Sequence, residues 1–206
     1  MPVERTVAEM VIQLGRAVCC DGPGGLTAAQ WTALRYFARA NRFSRTVSAF
    51  AGFHVTTKGT ASQTVKSLVG RGLLTRTQSD RDGRSVTLDL TSTGWSLLGQ
   101  DPFEALVDAV ARLPQQQRSD VAEGLAKMLE DLACGLGRRR FGVCKDCSYL
   151  CGAYEPGQHS PFTCRLVGEP LEWDETRQIC VNFCRLPRED GVAGSTREAE
   201  PVDAQP

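Results

Sequence analysis

The stretch VTTKGTASQTVKSLVGRGLLTRTQSDRDGR, Val55 to Arg84, decides how the rest of the chain is read. Thr56 or Thr57 can cap a helix here, because a hydroxyl at that position accepts from an amide of the first turn. Wound at 100° per residue, the helix puts Ala61, Val65 and Leu68 on one face. Gly59, Gln63 and Lys66 emerge opposite, flanked by Ser62 and Ser67. Gly70-Arg71-Gly72 ends the helix, and Leu73–Gln78 and Ser85–Leu90 then read as two strands. Their connection, Ser79-Asp80-Arg81-Asp82-Gly83-Arg84, is polar and carries two arginines.

Packing explains the apolar face of this helix and leaves the polar one unexplained. Plain exposure to solvent would account for it, but a basic hairpin directly after it points to a nucleic-acid partner. Gln pairs bidentately with adenine, Ser and Thr meet bases or phosphates, and Lys neutralises phosphate or reaches guanine. An arginine at a hairpin tip suits the negative potential of a minor groove.

The charge distribution agrees with this reading. The formal net charge is zero, yet residues 1–143 hold 18 Lys+Arg against 13 Asp+Glu, a net of +5, and residues 144–206 hold 6 against 11, a net of −5. Within 35–84 the balance is 10 basic to 2 acidic, +8, the electrostatic footprint of a phosphate-bearing partner. No apolar run approaches the roughly 20 residues of a membrane helix. No signal peptide is expected from MPVERTVAEM, so the expected setting is cytoplasmic, without membrane contact.

Upstream, Val3, Val7, Met10, Val11, Leu14 and Val18 recur at spacings of three and four, so 3–19 reads as an amphipathic helix. Its apolar face needs a cover, either the chain's own core or a second subunit. After the breaker Asp21-Gly22-Pro23-Gly24-Gly25, Thr27 and Gln30 form a capping box, with Leu26 and Trp31 where a hydrophobic staple belongs. Trp31, Leu34 and Phe37 are the buried stripe of a helix to about Ala40, and a short helix near Thr46–Phe53 adds Val47, Phe50 and Ala51. Downstream, Trp95, Leu97 and Leu98 begin a helix interrupted at Asp101-Pro102 and continued by Phe103 to Leu113. Pro114 suits the first turn of the next, striped by Val121, Leu125, Met128, Leu129 and Leu132.

TKGTASQTVKSLVGRGLLTR, the spacing of Asp82 and Arg84, and LTSTG at Leu90–Gly94 together resemble the winged helix-turn-helix core of the MarR family of bacterial transcription regulators. The resemblance spans about residues 3–135. It implies a mainly α fold with a small β-wing (α+β), in which long N- and C-terminal helices interlock in a homodimer. The two recognition helices would then enter successive major grooves of a pseudo-palindromic operator in double-stranded DNA. It also makes Arg84 the wing arginine, oriented by Asp82, and suggests a small-molecule effector between the dimerisation helices and the winged domain. The expected DNA-contacting residues are Thr57, Lys58, Thr60, Ser62, Gln63, Lys66, Arg81, Asp82 and Arg84. This fold is expected over 1–136, followed by a basic linker at 137–143 containing Arg138-Arg139-Arg140.

From Cys144 helical periodicity vanishes and Cys, Gly and Pro rise. Six of the nine cysteines fall in the 41 residues from Cys144 to Cys184. A segment so poor in aliphatics cannot build a sufficient core alone, and in a reducing compartment clustered thiols favour metal ligation over disulfides. A metal-stapled module is expected over 144–186. The spacing Cys144-x2-Cys147 lets two thiolates grip one metal from a turn. Cys164 and Cys180 sit in FTCRLVGEPLEWDETRQICVNF, which resembles cysteine-rich tails on some members of this regulator family and so implies them as the other two ligands, with Cys151 and Cys184 as substitutes. Four thiolates satisfy either tetrahedral zinc or an iron–sulfur cluster. One Cys-x2-Cys followed by isolated cysteines departs from the two knuckles of a zinc ribbon and favours the cluster. His159 is a further candidate ligand, and the acidic tail 187–206 is expected to be disordered.

The expected function is therefore a DNA-binding regulator whose cysteine-ligated centre senses redox state or iron. The same regulator with a purely structural zinc and a small-molecule effector is the alternative. A dithiol redox protein is the alternative of another class. Its Cys-x2-Cys belongs at a helix start in a βαβ setting, and none is visible. No Ser/His/Asp set, phosphate-binding Gly loop or metalloprotease motif is present, so no enzymatic activity is expected.

Overall fold

The computed structural model describes residues 2–18, 23–78, 86–153 and 162–185. Seven helices occur among them, α1 (Val3–Ala17), α2 (Ala28–Arg39), α3 (Val47–Phe53), α4 (Lys58–Gly70), α5 (Ser92–Leu98), α6 (Glu104–Ala111) and α7 (Gln115–Gly135). A hairpin of β1 (Leu74–Gln78) and β2 (Val86–Leu90) follows α4, antiparallel with Leu74 opposite Leu90 and Arg76 opposite Leu88. The architecture is mainly helical with small antiparallel sheets.

The core lies where α2, α3, α4 and the hairpin converge. Trp31, Leu34, Tyr36, Phe37, Phe50, Leu68 and Leu88 are all at most 2% exposed there. Burying each such side chain is worth about 1.5–3 kcal/mol, enough to stabilise a helix as short as the seven-residue α3. Local signals set the boundaries as the pattern predicts. The Thr27–Gln30 capping box forms in both directions, at 3.3 and 2.8 Å. Thr46 caps α3 through Ala49 N (3.1 Å), and Thr57 caps α4 through Thr60 N (3.1 Å). The turn between α3 and α4 holds Val55 at φ 53°, left-handed backbone that a β-branched residue rarely adopts.

LTSTG acquires a physical reason. Thr91 caps α5 through Gly94 N (3.0 Å) and its hydroxyl donates to Gly72 O (2.6 Å), tying the end of α4 to the start of α5. A Cβ on Gly94 would lie 2.2 Å from Leu73 O, so only glycine fits. Asp101, expected merely to interrupt a helix, is buried. Both its oxygens take Arg35 at 2.6 Å, and Oδ1 also accepts from Phe103 N. Pro114 is the N-cap of α7 rather than a residue of its first turn.

Helices α1, α6 and α7 contain no buried residue. Met10, Leu14, Leu129 and Leu132 are each more than half exposed, and the chain itself does not cover their apolar stripes.

Beyond α7 the chain forms β3 (Gly142–Val143), β4 (Leu150–Gly152), β5 (Phe162–Cys164), β6 (Glu169–Leu171) and β7 (Ile179–Cys180). Strands β4, β5 and β6 make a small antiparallel sheet, and β3 pairs with β7. Their own core is small, with Cys144, Phe162, Leu171 and Cys180 buried and Phe43, Leu150, Cys164 and Phe183 packed against it. Phe43 comes from the α2–α3 turn. Ile179 belongs to the main core and pairs in parallel with Ala40, so the cysteine region is anchored on the winged helix.

Candidate nucleic-acid interface and cysteine site

On α4, Ala61, Val65 and Leu68 are buried while Lys58, Thr60, Gln63 and Lys66 are exposed and Ser62 half-buried. The division is the one the 100° winding predicts. Lys58, Gly59 and Ser62 border a concavity whose other wall is Val47, Arg76, Val86 and Leu88. The polar face of the helix and the hairpin therefore share one hollow, with Lys58 and Arg76 as its cations. The structure spends the Thr57 hydroxyl oxygen on capping Thr60 N and brings it 2.9 Å from the Thr60 hydroxyl, so Thr57 sets the helix start. Ser67 is held by Gln30 Nε2 at 2.9 Å, which fixes α4 against the start of α2. Arg81, Asp82 and Arg84 lie outside the described residues, as do His159 and the tail.

Arg76 was not singled out by the sequence. It lies in the first predicted strand and sits opposite Leu88, but its approach to α4 depends on how the hairpin packs.

The cysteines divide into two groups. Cys144, Cys147, Cys164 and Cys180 line one cavity together with Asn41, Phe43, Tyr149, Leu150, Val167, Leu171 and Asn182. Cys151 and Cys184 do not line it. The first four are the ones expected as ligands, Cys144 and Cys147 from spacing and Cys164 and Cys180 from resemblance, and all four line this common space. No three His, Cys, Asp or Glu side chains among the described residues stand close enough to grip an ion as they are placed. The donor set around the cavity is sulfur without carboxylate or imidazole, which suits soft, thiolate-binding metals.

Cys144 and Cys180 are hydrogen-bonded to each other. Giving that bond to Cys180, with burial next in importance, pushes the Cys144 thiol up. The same bond pulls the Cys180 thiol down against the opposing effect of burial, helped by donors from Asn41, the Asn182 backbone and Ser44. Asn41 is fully buried. Its Nδ2 donates to Cys144 Sγ at 3.3 Å, and its Oδ1 accepts from Ser44 Oγ at 2.7 Å. Val181 N donates to Ser44 Oγ at 2.8 Å. Asn41 and Ser44 sit between two helices, 103 residues before Cys144 in the case of Asn41, and nothing local in the sequence marked them.

Two further links hold the cysteine region in place. Arg42 takes Glu175 at 2.9 Å, and Glu130 of α7 takes both Arg140 (3.3 Å) and Arg185. The region thus touches both the winged helix and the long C-terminal helix.

Residues 24–85 match the model of the MarR family. This winged-helix segment belongs to the MarR family. Among solved structures, S. aureus MepR in its DNA-binding conformation is 19% identical over 64% of this chain and 99% of that one, with a TM-score of 0.55. A MarR/EmrR family regulator from Acinetobacter sp. ADP1 is 15% identical over 64% and 98%, with a TM-score of 0.52. Both likenesses establish the winged-helix MarR fold. No curated protein matches the chain. The family model stops short of the cysteines after residue 143. No helix among the described residues is long and apolar enough to cross a membrane.

Proposed function

We propose that the chain is a homodimeric, sequence-specific DNA-binding transcription regulator whose cysteine site binds a metal, as an iron–sulfur cluster or a zinc ion. The observation that carries the DNA reading is the hollow between α4 and the hairpin, bordered by both Lys58 and Arg76, with Gln63 and Lys66 exposed on the same helix. MepR, which shares the fold, was captured in a DNA-binding conformation. Helix α4 would enter the major groove, with Gln63 reading a base edge and Lys58 and Lys66 meeting phosphate or guanine. The hairpin, through Arg76 and Arg84, would follow the adjacent backbone and minor groove.

The uncovered faces of α1, α6 and α7 support a dimer, since exposed apolar stripes of this length are otherwise costly in water. A two-fold pair would present two α4 helices about 34–36 Å apart, one turn of DNA. Four thiols around one cavity, under a core this thin, support the metal. When bound, the metal would be held by Cys144, Cys147, Cys164 and Cys180 as thiolates and would staple the small strands together. Because the region touches α7 and the α2–α3 turn at once, opening it would alter the pose of the winged helix relative to the dimer. A signal acts only through such a difference between states.

The test is a gel shift with DNA flanking the chain's own gene, using parent protein, Lys66→Ala and Arg76→Ala. The parent should give a discrete shifted band and both variants should weaken it at least tenfold. Equal binding by all three would sink the assignment. Elemental analysis after anaerobic purification decides the metal, with iron and sulfide for a cluster or stoichiometric zinc for a single ion.

A further inference from the structure

We propose that the missing side chain of Gly59 makes room for DNA, letting the sugar–phosphate strand that separates two grooves settle into the hollow between α4 and the hairpin. This rests on the DNA reading above. Gly59 is a residue of α4 and is not among the glycines held at positive φ. A Cβ built on it would meet nothing nearer than Thr57 Oγ1, at 3.8 Å. The fold therefore does not require glycine here, and α4 would gain from alanine, the better helix former. Gly70, at the other end of α4, has free space around it as well, so emptiness alone is not distinctive. What sets Gly59 apart is its place. It heads the exposed stripe of Gln63 and Lys66, at spacings of four and three, and it borders the hollow.

The make-up of the hollow points to the part of the DNA that fits it. With α4 in a major groove and the hairpin in the adjacent minor groove, the one strand that separates these grooves has to cross between them. Such a strand has an apolar flank, its deoxyribose, and an anionic one, its phosphate. The hollow matches both. Val47, Val86 and Leu88 supply apolar wall, and Lys58 and Arg76 border it as cations. Cations on a phosphate fix the register of the duplex without reading its sequence. Gly59 directly follows Lys58 in the first turn of α4. A side chain at 59 would take up part of the hollow and lift the strand, drawing Gln63 away from its base edge.

The experiment measures affinity for the DNA flanking the chain's own gene and thermal unfolding on the same full-length preparations. Gly59→Ala should melt about 2 °C above the parent. It should nevertheless bind DNA about tenfold more weakly, and Gly59→Leu about 100-fold more weakly, as steric overlap grows. Stability and affinity then move in opposite directions, which a glycine serving only the fold would not produce. Gly70→Ala should also melt higher, with parental affinity. A scan of single methylphosphonates, each neutralising one phosphate, locates the strand. One substitution should weaken the parent and leave Gly59→Leu, already lifted off that phosphate, unaffected. Parental affinity in Gly59→Leu overturns the proposal, as does a loss in Gly70→Ala equal to that in Gly59→Ala. A methylphosphonate profile shared by Gly59→Leu and the parent overturns the assignment of the strand. A parent that does not bind the flanking DNA overturns the DNA reading itself, which is a different result from variants that bind as the parent does.

Discussion

The winged helix and the cysteine region are held together by different physics. The first packs Trp31, Tyr36, Phe37, Phe50 and several leucines into one core and sets every helix start with a threonine. The core of the second is two cysteines, one phenylalanine and one leucine, and it borrows Phe43 and Asn41 from its neighbour. The first core is large, although it takes Ile179 of β7 from the cysteine region. The second is small and leans on the surface it sits on. Local opening is expected first in the smaller core, where fewer apolar contacts oppose it.

If the four cysteines hold a metal as proposed, stripping it should break the comparison most visibly. Thiolate-bound metals supply much of the folding free energy of small sites. After anaerobic chelation, hydrogen exchange should rise sharply across 142–185 and stay low in α2 and β2. Uniform loss of protection in both regions would show that they form one cooperative unit. Gly94→Ala should do the reverse. A Cβ placed 2.2 Å from Leu73 O forces α5 off the hairpin, at a cost of about 3 kcal/mol by urea unfolding, with the metal site retained. An unchanged midpoint would mean that the approach of α5 is looser than described.

Asp101→Ala comes next. It leaves the Arg35 guanidinium, only 19% exposed, without its bidentate partner and should cost about 2 kcal/mol, less than a fully buried pair because Arg35 keeps some water. Asp101→Asn, which keeps a hydrogen-bonding side chain, should lose less. The smallest effect runs in the stabilising direction. Val55→Asn relieves a β-branched residue at φ 53° and should gain about 1 kcal/mol, read as a higher melting temperature. A lower one would show that the exposed valine contributes contacts that the isolated subunit does not reveal.

Much of the winged helix was legible because its information is local. Periodicity placed Ala61, Val65 and Leu68 inward, and the caps at Thr27 and Thr57 follow from hydroxyls at the right distance before apolar runs. Spacing likewise singled out Cys144 and Cys147, and the resemblance of the segment around Cys164 and Cys180 added those two; all four line one cavity. The contacts of Asn41 with Cys144, Ser44 with Val181 and Asp101 with Arg35 escaped notice because these partners are distant in the chain. Asp101 meets Arg35 across 66 residues and Asn41 meets Cys144 across 103, and no pattern in a single sequence encodes such pairs. Gly94 was visible as part of a motif, but the reason for it, a carbonyl where a Cβ would be, is a matter of packing alone.

DNA affinity measured against salt concentration tests the central claim most directly. If α4 and the hairpin grip phosphates in a two-fold complex, log Kd of the parent on its flanking DNA should change steeply with log salt, by about 0.9 per phosphate neutralised. Lys66→Ala should weaken binding and lower that slope by about 1 per subunit, about 2 for the dimer. A slope that is shallow in the parent, or identical in Lys66→Ala, would contradict the account.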